Sequence, residues 1–357
     1  MRVFVLGGTG FVGRHVVHAF LGQGHEVATS VRPGSDASAL AGLEVERVLC
    51  DLTVPESLRA AFAGRDLVVH TAGVLSLWER HAPVLYRVNV LGTRNVVEAC
   101  LATGVGRLIY TGSVGIYSGT SEPVPVDEEG APTTERFHSF HVTSMCLAEA
   151  EVFKGVARGL DAVLLHPGLC LGEGDRSMHS SWALVGLAYA RLPFAPPGGA
   201  SLVDVRDVAR AHVLAAEKAP RGGNYLLGGA NLTNRAFVDL LREELGIRVP
   251  PLPVSRAGMR ALGCLGEWVA RARGADDGTY ISLNEAIGRS MSLYWFIDDR
   301  KAQRELGHGH SPIRPALRRQ LAWLEERGLL PQSGFGLREF LARFFPSPGQ
   351  LDRMAPP

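Results

Sequence analysis

Lysine is nearly missing from this chain. Of 37 basic residues in a total of 357, only Lys154, Lys218 and Lys301 are lysines. Cysteine is sparse as well: Cys50, Cys100, Cys146, Cys170 and Cys264 are odd in number, scattered, and form no CxxC pair. This argues against a disulfide framework or a structural zinc site, and a reducing, cytoplasmic setting is expected. Net charge is almost absent too. At +1, with 37 basic against 36 acidic residues, the chain offers no electrostatic case for nucleic acid or an anionic membrane surface. Long apolar runs are missing: stretches such as Trp182 to Tyr189 fall far short of the ~20 residues a membrane-spanning helix needs. Residues 2–6, RVFVL, are already strand-like, so no signal peptide is expected. There is no internal repeat, and biased composition is confined to a Pro-rich C-terminal tip.

What is present is a strong alternation. The 46% hydrophobic and 20% charged composition suits a sizeable core, in one large α/β unit or two modest domains. Short apolar, β-rich runs occur at 2–6, 26–31, 45–52, 66–72, 107–113 and 161–167, and amphipathic stretches at 11–22, 55–63, 84–103 and 140–158 lie among them. Runs buried on both faces and separated by helices predict an α/β fold with a doubly wound parallel sheet. After about residue 172 the alternation breaks down. Gly/Pro-rich PFAPPGGA (193–200) and VPPLPV (249–254) separate shorter elements, with helices expected at 234–246, 256–272 and 312–328. The expected organisation is a dinucleotide-binding domain at 1–172 and a smaller, irregular substrate domain at 173–357. Within the latter, about 201–228 returns to the first domain, because SLVDVRDVARAH (201–212) has the pattern of a strand turning into a helix.

GGTGFVG (7–13) follows the first strand and opens the first helix. Gly7, Gly10 and Gly13 let the backbone approach a pyrophosphate, and the helix start carrying Thr9, Phe11 and Val12 presents free N–H groups to it. A tight turn without a ligand is the plain alternative. An NAD site calls for Asp or Glu at the end of the second strand, to bond the ribose 2′-OH. Here the strand ends Ser30-Val31-Arg32, with Ser35 beyond, and has no carboxylate there. Arginine can hold a 2′-phosphate, so NADP is preferred over NAD, although Arg32 could equally be a solvated loop charge. Asp51 and Leu52, ending the third strand, could border the adenine, or Asp51 could cap the helix near Pro55.

GGTGFVG, CDLTVPESL (50–58), VVHTAG (68–73), NVLGTRNVVEAC (89–100), LIYTGSVGIY (108–117), HPGLCLGEGD (166–175) and VDVRDVARAH (203–212) occur in this order. Together, over about the first 230 residues, they resemble the extended short-chain dehydrogenase/reductases, the NAD-dependent epimerase/dehydratase group with its Rossmann fold. HTAGVLSLW (70–78) and the Arg32 strand end resemble the 3β-hydroxysteroid-dehydrogenase and dihydroflavonol-reductase branch more than the sugar-nucleotide epimerases. The resemblance is looser after residue 250, where DDRKAQRELG (298–307) and LAWLEERGLL (321–330) are similar to the family's closing segment. It implies cofactor contacts at Thr71, Ala72, Gly73, Asn89, His166, Pro167 and Gly168. For Asn89 it implies a helix-kinking or water-holding role, with a helix cap as the simpler alternative. It also implies a catalytic Ser or Thr, a Tyr and a Lys. Ser113 aligns with the first. The Tyr and Lys come as YxxxK, but the segment here is H-V-T-S-M-C-L-A-E, with the register set by Ser144, Ala148 and Glu149. His141 therefore stands at the Tyr position and Met145 at the Lys position. No YxxxK exists in the chain, since Ala150, Leu214 and Ile297 precede the three lysines by four.

The two replacements are chemically coherent. A Tyr with its ordinary pKa of ~10 carries protons poorly at pH 7 without a nearby cation. Histidine, with a pKa near ~6.5, needs no such neighbour, and a cation beside it would suppress its protonated form. On this reading His141 moves the proton and Ser113 bonds a carbonyl oxygen. The bland reading is that catalysis is lost and His141 is a polar helix-start residue. Val142, Cys146, Ala150 and Phe153 are expected to form the core-facing stripe of that helix, with His141 and Met145 on a neighbouring face. Tyr117 could offer a phenol in the cleft. HxxH at His138 and His141 lacks a third ligand, so no metal is expected. The substrate expected is an apolar small molecule, with Trp182, Leu184, Leu187, Tyr189 and Phe194 as a covering region, or as ordinary helix core. Three readings stay open: an oxidoreductase, a cofactor-binding pseudoenzyme, and a redox-neutral isomerase or cyclase. The resemblance also implies a possible homodimer through the 84–103 and 140–158 helices.

Overall fold

The computed structural model describes residues 1–32, 34, 36–117, 119–130, 139–176, 178, 180, 181, 184, 194–272 and 284–330. Ser35, His138, Trp182, Leu187 and Tyr189, all singled out above, lie outside these described residues. The strands are β1 (Arg2–Leu6), β2 (Glu26–Val31), β3 (Glu46–Leu49), β4 (Leu67–His70), β5 (Arg107–Thr111), β6 (Ala162–Pro167) and β7 (Leu169–Leu171). They continue with β8 (Phe194–Ala195), β9 (Gly199–Asp204), β10 (Asn224–Leu227), β11 (Ala230–Thr233), β12 (Leu252–Pro253) and β13 (Tyr294–Trp295). The helices are α1 (Phe11–Gly22), α2 (Pro55–Phe62), α3 (Ala82–Leu85), α4 (Gly92–Thr103), α5 (Phe140–Ala157) and α6 (Val205–Lys218). Then come α7 (Asn234–Leu245), α8 (Arg256–Ala272), α9 (Glu285–Ser290), α10 (Arg300–Glu305) and α11 (Ile313–Glu326).

Seven strands form one parallel sheet in the order β10-β6-β5-β4-β1-β2-β3. The order reverses direction at β1, and ligands of such sheets bind at the carboxyl ends beside that switch. Alternation along each strand feeds two cores. Val3 and Val5, Leu67 and Val69, and Val163 and Leu165 face α1 and α6, and pack with Val16, Val17, Phe20, Val205 and Val208. Their neighbours Phe4 and Leu6, Val68, and Ala162 and Leu164 face the other way, toward Leu58, Phe62, Val96, Ala148 and Val152 of α2, α4 and α5. Strands buried on both sides need apolar residues at every position, which is why these runs are continuous rather than alternating with polar residues.

Residues 205–227 belong to this body: α6 packs on α1, and β10 pairs parallel to β6 at the sheet edge. Ala302 and Leu306, of α10 and its end, sit in the same core. The second half holds a smaller sheet in which β9 runs antiparallel to β11 and parallel to β7 and β13. Its core joins Leu184, Leu202, Leu241, Leu317 and Leu321. Two elements differ from expectation. The strand expected at 45–52 is ordered only over Glu46–Leu49, because Asp51 turns the chain by accepting 2.7 Å bonds from both Thr53 N and Thr53 Oγ1. The helix expected at 84–103 begins at Ala82 and passes through a π-helical stretch, Tyr86–Leu91, before α4. Such bulges insert a residue without ending the helix and often occur at functional sites.

Candidate active site

The glycine turn at the end of β1 is built by close approaches. Gly7 has φ +95°, and a Cβ there would lie 2.8 Å from Ala72 N; one on Gly13 would lie 2.1 Å from the Gly7 carbonyl oxygen. The turn is tied to β2 by Gly7 N donating to Ser30 Oγ (2.9 Å) and Gly8 N to Thr29 Oγ1 (3.2 Å). Gly10 differs. A Cβ on it would meet only the Gly7 oxygen, at 3.2 Å, so protein packing does not demand a glycine there. Gly10 is exposed, caps α1 without any side-chain bond, and the first turn of α1 has no acidic residue. An uncapped, positively polarised helix start with room in front of it fits a dinucleotide pyrophosphate.

Other expected contacts fall around this turn. Thr71 Oγ1 donates to the Leu6 carbonyl at 3.0 Å, and Gly73 is exposed at the end of β4. Arg32 is exposed at the end of β2. Asp51 lies within the field of Arg32; burial alone would raise its carboxyl, but the Thr53 bonds together with Arg32 and Arg87 hold it below the ordinary value. Leu52 packs on α4, where Gly92 leaves room for it: a Cβ on Gly92 would be 2.1 Å from Leu52 Cδ1. Gly168 is a packing glycine, since a Cβ would come 2.5 Å from the Ser201 carbonyl of β9.

One neighbour was missed in the sequence. Arg14, in the first turn of α1, rests against Gly174, and its guanidinium is lowered chiefly by burial, with Arg176 and Arg327 nearby and Glu173 opposing. The Glu173 loop lies across α1: His15 Nε2 is 2.9 Å from the Glu173 carbonyl, and Arg206 and Arg319 pair with the Glu173 carboxylate at 2.6 and 3.1 Å. An arginine directly after the third glycine was the available signal.

Ser113 caps a short 3₁₀ turn, Val114–Ile116, by accepting a 3.1 Å bond from Gly115 N. The hydroxyl proton is therefore still available to donate. The start of α5 packs on this turn. Ser139 caps α5 through Val142 N, at 3.2 Å, and Val142, Val114, Ile116 and Tyr117 share one apolar cluster. Met145 packs into both that cluster and the core beneath the sheet. The expected stripe of α5 is corrected here. Val142 is buried, but Cys146 is only half-buried, Ala150 is exposed and Phe153 is 39% exposed. The inward face instead carries Ala148, Val152 and Gly155, because α5 lies against the sheet and α4 together, rotated from the face the apolar spacing suggested.

Asn89, in the π-helical stretch, is buried and joins three elements. Its Oδ1 accepts from Val74 N (2.8 Å), and its Nδ2 donates to the Val74 carbonyl (2.9 Å) and to Ser144 Oγ (3.0 Å). Ser144 Oγ in turn donates to the His141 carbonyl at 2.7 Å. So Asn89 fixes the loop after β4 against the start of α5; it is not a helix cap.

Tyr117 does not offer its phenol to the cleft. It is buried, donates to Glu149 Oε1 at 2.8 Å and accepts from Asn224 Nδ2 at 2.6 Å. Its ring meets the His166 ring edge-on at 4.9 Å, and His166 Nε2 lies 3.6 Å from Glu149 Oε2. Burial pushes the Tyr117 phenol up, the Glu149 carboxyl up to about 7, and the His166 imidazole down to about 4. The His166 ring is fully enclosed, so its expected cofactor contact is limited to its backbone. Leu184, expected over the substrate, is instead core of the second half, while Phe194 is 37% exposed. Two residues that sequence reasoning did not flag pack against the same cluster as the Ser113 turn, Leu293 and Trp295, and Trp295 reaches that turn at Gly115. Trp295 is oriented by its Nε1 donating to the Ser290 carbonyl at 2.9 Å.

The fold and the glycine turn define a dinucleotide-binding α/β protein. Residues 3–228 match the model of the NAD dependent epimerase/dehydratase family, and the chain belongs to that family. It is 30% identical to a Synechocystis sp. protein named provisionally as a dihydroflavonol 4-reductase, over 91% of this chain and 95% of that one. It is 29% identical to sterol demethylase protein B of Methylococcus capsulatus, over 92% of this chain and 100% of the relative. The crystal structure of gox2253 superposes with a TM-score of 0.79 at 29% identity, covering 92% of this chain and 99% of that one. Membership brings a nicotinamide cofactor and oxidoreductase chemistry. Among the described residues no helix is long and apolar enough to cross a membrane.

Proposed function

We propose that this protein is an NADP-preferring oxidoreductase that interconverts the carbonyl and secondary alcohol of an apolar small molecule, with His141 as proton carrier. The observation that carries this reading is the packing of the first turn of α5 directly on the turn capped by Ser113, with Met145 rather than a cation between apolar clusters. When bound, the nicotinamide supplies or accepts the hydride. Ser113 donates a hydrogen bond to the carbonyl oxygen, using the hydroxyl proton its capping bond leaves available. His141 delivers a proton to that oxygen in reduction and removes it in oxidation. The glycine turn and the start of α1 hold the pyrophosphate, and Arg32 takes the 2′-phosphate. Trp295, Leu293 and Met145 favour an apolar substrate. Exposed Tyr86 of the π-helical stretch and exposed Leu147 and Phe153 of α5 support homodimerisation as part of the same reading.

The test is His141→Ala, with NADPH binding followed by fluorescence and turnover by a panel of ketones and alcohols. The expected result is unchanged binding and loss of turnover. Near-wild-type turnover in that variant would overturn the role of His141. A wild-type protein that binds NADPH but turns over nothing would favour a cofactor-binding pseudoenzyme. Product formation without change at the nicotinamide absorbance would favour a redox-neutral isomerase or cyclase.

A further inference from the structure

Away from the cofactor cleft, Asp299, His308 and His310 converge between the β10–β11 turn and the start of α10. One ligand atom from each lies within 4.8 Å of the other two. His310 Nε2 is 2.6 Å from Asp299 Oδ2, and His308 Nε2 is 3.7 Å from the same oxygen. Two imidazoles therefore point at one carboxylate oxygen. That oxygen also accepts from Gly228 N at 3.1 Å, while Gln303 Nε2 holds the other oxygen, Oδ1, at 2.8 Å. The carboxylate is thus oriented from outside the cluster, as supporting groups orient a metal ligand. The Gly228 carbonyl lies 3.1 Å from His308 Nε2 and adds a further oxygen to the cluster.

We propose that Asp299, His308 and His310 form a binding site for a divalent first-row transition metal such as Zn²⁺. Two imidazole nitrogens and one carboxylate oxygen suit that class of ion, and three protein ligands leave a fourth position for water or the Gly228 carbonyl. Asp299 and His308 are buried. His310 is 34% exposed, which provides the entry path and the freedom to adjust to metal–ligand distances of ~2.0–2.2 Å. The segment after His310 is anchored independently, since Ser311 N and Oγ donate to Asp207 at 2.6 and 2.8 Å. A bound ion would tie the stretch leading to α11 onto the sheet edge at Gly228. The site escaped the sequence search because the two histidines are an HxH pair in an irregular segment and their carboxylate lies before α10.

The experiment uses the full chain without an affinity tag, stripped with a chelator and titrated with ZnCl₂ and CoCl₂. One equivalent is expected to bind saturably and to raise the melting temperature. The Co²⁺ form should show visible d–d bands without the near-ultraviolet thiolate band that binding at Cys264 would produce. His310→Ala should weaken binding at least tenfold and cancel the thermal gain, and Asp299→Asn should do the same, whereas His18→Ala should leave both unchanged. Absence of saturable binding, a thiolate band, or parent-like affinity in His310→Ala would each overturn the proposal.

Discussion

Glu149→Gln should convert a pH-dependent weakness into a constant. The Glu149 carboxyl is buried with Tyr117, His166 and Cys146 around it, and burial pushes it from 4.5 up to about 7. Its folded state holds the proton more tightly than its unfolded state does. Between pH 4.5 and about 7 the unfolded chain ionises first, so the stability contributed by this group is fully present below 4.5 and gone above about 7. At 1.36 kcal/mol per pKa unit, the swing is ~3 kcal/mol. His166 works in the opposite sense. Burial lowers it from 6.5 to about 4, so its contribution is present above 6.5 and is lost as pH falls toward 4. Where that contribution changes, Glu149 is protonated and as neutral as glutamine, so the effect is nearly the same in both proteins and largely drops out of their difference. Glutamine keeps an acceptor for the Tyr117 hydroxyl and carries no ionisable proton. Urea denaturation of both proteins from pH 5 to pH 8.5 is the assay. The stability difference, variant minus wild type, should climb with pH by ~3 kcal/mol and level off above pH 7. A difference that stays flat across the range would refute the assignment of Glu149 as a buried carboxyl titrating near neutrality.

Asn89→Ala leaves the Val74 N–H and carbonyl without their side-chain partners, and should cost ~2 kcal/mol in denaturant melts while loosening the start of α5. Arg32→Ala should weaken NADPH binding by about tenfold, ~1.4 kcal/mol, and change NADH binding little; equal losses for both would argue against a 2′-phosphate contact. Met145→Lys places a cation one helical turn from His141, so the pH profile of turnover should move to lower pH; a shift upward or none would count against His141 as the titrating group.

Much of the first half was legible because the signals are local. A strand buried on both faces is a continuous apolar run, and a turn that brings backbone against a pyrophosphate is a run of glycines; both are properties of contiguous residues. The absence of any YxxxK string is equally local, since it is read directly off the chain. α5 shows the limit. Its apolar spacing suggested Val142, Cys146, Ala150 and Phe153 as the inner face, yet the inner face carries Ala148, Val152 and Gly155, because two neighbours rather than one decide what is buried.

The order of strands and helices in the first half, the glycine turn and the absence of YxxxK were therefore determined by the sequence alone. Tertiary structure decided what the polar residues do. Tyr117 meets Glu149 and Asn224, Asn89 meets Val74 and Ser144, and Asp299 meets His308 and His310. Apart from the closely spaced histidines, these partners come from different elements, and no periodicity records which buried donor will face which acceptor once the layers close. That choice is made by packing, which must pair each buried polar group or incur the cost of leaving it without a partner.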